Sequence, residues 1–92
     1  MIKTAFIINN DAGLTSEMQS KIISLISQYQ SNVDFVRWDG LRMNARHSGL
    51  VHMMRFRKGE KFFVQSDGFD AQKVSNAITE LFKEFDVSRI EY

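Results

Sequence analysis

Ninety-two residues leave room for one hydrophobic core, so residues 1–92 are read as a single domain. The chain has no cysteine, which excludes disulfides and thiolate metal sites, and its 43% hydrophobic content suffices for a core without them. No apolar run approaches the ~18 residues a membrane span needs and no basic-then-apolar leader opens the chain. The expectation is therefore a cytoplasmic protein that does not insert into a membrane, with a net charge of +1 that points to no partner.

Residues 2–9 are apolar and β-prone and predict a first strand. Asn10-Asp11-Ala12-Gly13-Leu14-Thr15-Ser16 then reads as a strand-to-helix turn, the kind that aims backbone N–H groups at an anion. From Ser16 onward Met18, Ile22, Leu25, Ile26 and Tyr29 fall on one helical stripe, and Ser16 with Gln19 matches a capping box. Asn32 to Trp38 predicts a second strand. Asp39-Gly40 supplies a two-residue hairpin signal, with positive φ at both central positions. Leu41, Met43 and Ala45 give the third strand one apolar face.

His47 to about Met54 predicts a short helix, weakened by Gly49. Lys58-Gly59 is a turn, and Lys61 to Ser66 a fourth strand. The final helix carries Val74, Ala77, Ile78, Leu81, Phe82 and Phe85 on one stripe, with Asp70 as its N-cap. The order βαββαβα predicts an α+β open-faced sandwich: four antiparallel strands covered on one side by three helices. Most of the Phe and Met residues belong to its core.

In order, length and landmarks the chain resembles HPr, the histidine-containing phosphocarrier of the bacterial sugar phosphotransferase system, over residues 3–86. Gly13-Leu14 stands where that family has Gly-Leu or Gly-Ile before its active-site histidine. Asp39-Gly40, Asn44-Ala45-Arg46, Lys58-Gly59 and Asp70-Ala71-Gln72 match further landmarks in the same order. The family segment Gly-[Leu/Ile]-His-[Ala/Thr]-Arg-Pro is here Gly13, Leu14, Thr15, Ser16, Glu17 and Met18. The resemblance thus places Thr15, flanked by Ser16 and Glu17, at the phosphoacceptor position, with a carboxylate where an arginine attends the phosphoryl group. It implies no catalytic residue, no enzymatic activity, no cofactor and no metal.

HPr-like regulators without the histidine keep a serine at the start of the second helix, and the matching position here is His47, with Ser48 one residue later. Their apolar docking positions correspond to Ser48, Gly49 and His52, which are small or polar. His47 and His52, five apart on a helix, would point about 140° away from each other and could not share one metal. The leading expectation is a regulatory or protein-interaction domain, a monomer or weak homodimer, whose partner is a protein. The alternative is a phosphocarrier or kinase-regulated protein using His47, Ser48 or Thr15 as acceptor.

Charge supplies a third expectation. The window from Arg37 to Lys61 holds seven basic residues against Asp39 and Glu60, so Arg42, Arg46, Arg55, Arg57 and Lys58 form a possible anion or partner surface. Their spacing brings them to no single groove and no aromatic residue alternates with them, which argues against nucleic acid.

Overall fold

The computed structural model describes residues 1–91. Five strands, β1 (Ile2–Ile8), β2 (Asn32–Arg37), β3 (Arg42–Asn44), β4 (Lys61–Asp67) and β5 (Val87–Ile90), form one sheet in the order β3-β2-β4-β1-β5. All neighbours pair antiparallel. Three helices, α1 (Ser16–Ile26), α2 (Leu50–Met54) and α3 (Ala71–Lys83), complete the chain. The α+β sandwich expected from the pattern is present, with one strand more than the four predicted.

Alternation along the strands sorts the two faces of the sheet. Phe6 and Ile8, Val33 and Phe35, and Phe62 and Val64 are buried with Met18, Ile22, Leu50, Met54, Val74, Ile78 and Phe82 of the helices in one core. Phe62 stacks on Phe6, Phe35 and Phe56, and Phe82 meets Phe6 edge-on with centroids 4.7 Å apart. Such ring pairs add about 0.5–1.5 kcal/mol each beyond the area they bury. The other face of β1 and β4 carries Lys3 and Phe63, with the Lys3 ammonium 4.3 Å from the Phe63 ring centroid. Thr4 and Ser75, both buried, share a 2.7 Å hydrogen bond that fixes α3 on β1.

Several local expectations need correction. The N-cap of α1 is Thr15, not Ser16: its φ and ψ are −110° and 164°, and its hydroxyl accepts from Met18 N–H. Gln19 closes no capping box and instead donates to the carbonyls of Ala45 and His47, tying α1 to the entry of α2. The β2–β3 hairpin has positive φ only at Gly40 (97°), not at Asp39 as well. Arg37 N–H donates to the Leu41 carbonyl and Gly40 N–H to the Arg37 carbonyl, so the connection is a longer turn closed by one left-handed glycine. Helix α2 starts at Leu50, leaving His47 outside it. Asp70 does precede α3, but its side chain makes no cap bond to that helix. Its carboxylate accepts from the Ser31 hydroxyl and from Gln30 N–H, and these bonds hold it below the usual carboxylate range.

Candidate functional site

The turn between β1 and α1 is held from both sides. Asn10 donates from Nδ2 to the Phe85 carbonyl at 2.6 Å and accepts from Gly13 N–H at 2.5 Å. Gly13 has φ +71°, and its Cα packs so closely on the next loop that a Cβ would lie 2.0 Å from the Phe56 carbonyl oxygen. Thr15 follows two residues later, after the buried Leu14. Among the described residues its hydroxyl has one hydrogen-bond partner, Met18 N–H at 3.2 Å. Asn10, Thr15, Glu17, Glu84 and Asp86 line a hollow of about 370 Å³.

No lysine, arginine or histidine lines that hollow, and three carboxylates do. The three make no metal site, since no cluster of metal-ligating side chains occurs among the described residues. Glu17 lies in the first turn of α1, where an acid gains about 0.3–1 kcal/mol from the helix dipole. A helix N-terminus favours an anion, but the surrounding carboxylates oppose one. Thr15 Oγ1 accordingly serves as a cap acceptor beside acids, with no base bonded to it.

His47 and Ser48 are both exposed and precede α2. The His47 ring accepts from Gly49 N–H at Nδ1 (2.9 Å), an arrangement that needs that nitrogen unprotonated, and the His47 carbonyl accepts from Leu50 N–H. The imidazole thus caps the turn as a serine or asparagine side chain commonly does. Because His47 lies before the helix, the helical angle between His47 and His52 does not apply. Ser48 sits in the turn, two residues ahead of a helix only five residues long. Arg46 points its guanidinium at the Ser27 hydroxyl (3.1 Å), on α1's C-terminal side.

The five basic residues separate into two groups. Arg42 pairs with Asp34 across β2 and β3 at 3.1 Å, and Arg46 is engaged with Ser27. Arg55, Arg57 and Lys58, by contrast, line one hollow of about 460 Å³ together with Arg37 and Trp38. The expectation that spacing leaves these residues apart, without an aromatic partner, is therefore corrected for three of the five. Trp38 is 66% exposed. An aromatic beside a turn glycine was the available signal, but only the pairing of Arg37 with Phe62 across β2 and β4 brings it to the basic loop.

Arg37 is structural within this hollow. It grips Asp39 through two bonds of 2.8 and 2.7 Å and donates to the Met53 and Met54 carbonyls at the end of α2. The bond from Arg37 is the main reason the Asp39 carboxyl is lowered from 3.8 to about 2. A carboxyl held below its unfolded value adds stability that is complete above about pH 4 and vanishes as pH falls through about 2. Asp39→Asn should therefore lower stability at neutral pH, and the deficit should shrink as pH drops from about 5 to 2. Urea unfolding of both proteins across that range checks this, and a deficit constant with pH would rule the pair out as its source.

The family model described as PTS HPr component phosphorylation site matches residues 2–84. The phosphocarrier protein HPr of Xylella fastidiosa is 28% identical over 83 residues, covering 90% of this chain and 92% of its own. Among solved structures, a mycoplasma histidine-containing phosphocarrier protein superposes with a TM-score of 0.81 at 24% identity, over 90% of this chain and 93% of its own. The HPr of Thermoanaerobacter tengcongensis gives 0.80 at 18% identity, over 91% and 93% of the two chains. The chain belongs to the HPr family of the phosphotransferase system. Among the described residues no helix is long and apolar enough to cross a membrane.

Proposed function

We propose that this HPr-family chain does not carry phosphoryl groups on histidine and acts as a regulatory or protein-interaction domain. The observation that supports this reading is the Thr15 hydroxyl, which caps α1 inside a hollow of carboxylates, at the position that the motif resemblance aligns with the family's phosphoacceptor. A reversible carrier needs a bond that forms and transfers readily in both directions, which an imidazole phosphoramidate provides. A threonine phosphate is a stable ester and does not return its phosphoryl group to such a relay. A carboxylate about 6 Å from a dianionic phosphate also repels it by about 1–5 kcal/mol at effective dielectrics of 80 to 20. Incubation with phosphoenolpyruvate and the first enzyme of the phosphotransferase system tests the reading. No acid-labile phosphate should form, and stoichiometric phosphohistidine at His47 or His52 would sink it.

Serine regulation is expected to fail as well. A phosphate on Ser48 would sit ahead of a single-turn helix, and Arg46 is committed to Ser27. A kinase specific for the family's regulatory serine should label this protein poorly. Efficient labelling, abolished by Ser48→Ala, would restore the kinase-regulated alternative.

A further inference from the structure

We infer that the hollow between the β2–β3 hairpin and the loop after α2 is a binding site for a nucleoside phosphate. It shares no lining residue with the Thr15 hollow, and the inference is independent of the phosphoacceptor reading. Its 460 Å³ falls within the range of small-molecule sites.

The aromatic wall is Trp38, exposed yet held in place. Its indole Nε1–H donates to Glu60 Oε2 at 3.3 Å, and Glu60 Oε1 accepts from Arg57 N–H at 2.8 Å. Glu60 therefore spends both oxygens on orienting the ring and the loop. A fixed, accessible indole offers a stacking face to a planar base.

The cations lie along the same wall. Arg37 and Asp39 neutralise each other and leave the ligand to Arg55, Arg57 and Lys58. Arg55 has φ 49°, left-handed for a non-glycine residue, as the C-cap of α2. That conformation turns the chain back so that Arg55 and Arg57 both reach one hollow, separated by the buried Phe56. Arg55 uses one guanidinium N–H on the His52 carbonyl, and the Arg57 side chain has no partner among the described residues. Lys58 reaches Asp11 at 3.3 Å, an exposed pair that a phosphate can displace. With the Arg37–Asp39 pair cancelled, the lining sets these three cations against the carboxylate of Glu60, an excess of two positive charges, while Asp11 opposes Lys58 from outside the lining.

One stacking face beside a compact group of cations suits one nucleotide. A nucleic-acid strand would need a continued basic track, and Arg42 and Arg46 are engaged elsewhere. An acidic peptide would find the charge but no use for the planar face.

Trp38 is the sole tryptophan of the chain, so its fluorescence reports the site directly. Titration with ATP at about 150 mM salt should quench it saturably, with a Kd of about 1 mM or tighter. Tripolyphosphate, lacking the base, should bind about tenfold more weakly. Arg57→Glu and Lys58→Glu, both exposed and monitored for folding by circular dichroism, should each weaken ATP about tenfold or more. Calorimetry on Trp38→Leu should show the heat of ATP binding reduced towards that of tripolyphosphate. Absence of saturable quenching by ATP, equal affinity for ATP and tripolyphosphate, or ATP binding unchanged in both charge-reversal variants would overturn the inference. So would tighter binding of an oligonucleotide or a polyglutamate peptide than of ATP.

Discussion

Gly13→Ala is expected to cost about 2–5 kcal/mol of folding stability, a large part of the ~5–15 kcal/mol available to a small domain. Two separate effects add at this position. The backbone at φ +71° disfavours any Cβ by about 1–2 kcal/mol. The Cβ would also lie 2.0 Å from the Phe56 carbonyl oxygen, a backbone atom that cannot rotate aside. Overpacking of that kind costs a further ~1–3 kcal/mol. Gly40 separates the two effects, because it has φ +97° but open space around it. Gly40→Ala should therefore lose only the first increment. With about 4–8 °C of Tm per kcal/mol for a domain of this size, thermal melts of both variants resolve the difference. Equal losses would show that the turn yields to Phe56 more easily than its geometry indicates.

The contact joins the segments that carry the two candidate sites. Gly13 precedes Thr15 by two residues, while Phe56 separates Arg55 from Arg57. The backbone-to-backbone approach at this point holds the turn that carries Thr15 against the loop that carries Arg55 and Arg57. Glycine here is a packing requirement, independent of any chemistry at Thr15.

How much of this was legible in the sequence depended on the range of the interaction involved. Helix α3 could be read because Val74, Ile78 and Phe82 repeat at helical spacing and all three are fully buried. Strand β5 could not. Its four residues bury only Val87, and it exists by pairing with β1, Ile8 opposite Val87, at the far end of the chain. The start of α1 was visible to within one residue, since Thr15 and Ser16 both offer a hydroxyl three residues before a backbone N–H. Which one caps was decided by tertiary demand on Gln19, drawn to the carbonyls of Ala45 and His47. The assignment of Thr15 and Glu17 to the family's phosphoacceptor segment rests on the sequence landmarks alone. The meeting of Trp38 with Arg55, Arg57 and Lys58 depended on sheet order and on a left-handed Arg55, neither of which leaves a periodic trace.

Restoring phosphotransfer should require more than the imidazole. Thr15→His alone is expected to give little acid-labile phosphate, because the ring would enter a hollow still lined by Glu17, Glu84 and Asp86. It would also remove the hydroxyl that caps α1, at a cost of about 0.5–2 kcal/mol. Thr15→His with Glu17→Arg replaces a repelling carboxylate by a guanidinium that can hold the phosphoryl oxygens in two charge-assisted bonds. Exchanging an acid for a base next to a dianion changes the interaction by about 2–10 kcal/mol at about 6 Å, for effective dielectrics of 80 to 20. Even the lower end of that range corresponds to more than a tenfold change in the equilibrium for phosphorylation. The double variant should therefore accept phosphoryl groups from the first enzyme of the system at least about tenfold better than the single one. Intact-protein mass spectrometry before and after acid treatment measures both. Equal phosphorylation of the two variants would show that Glu17 is no barrier, and that the histidine alone separates this chain from a working carrier.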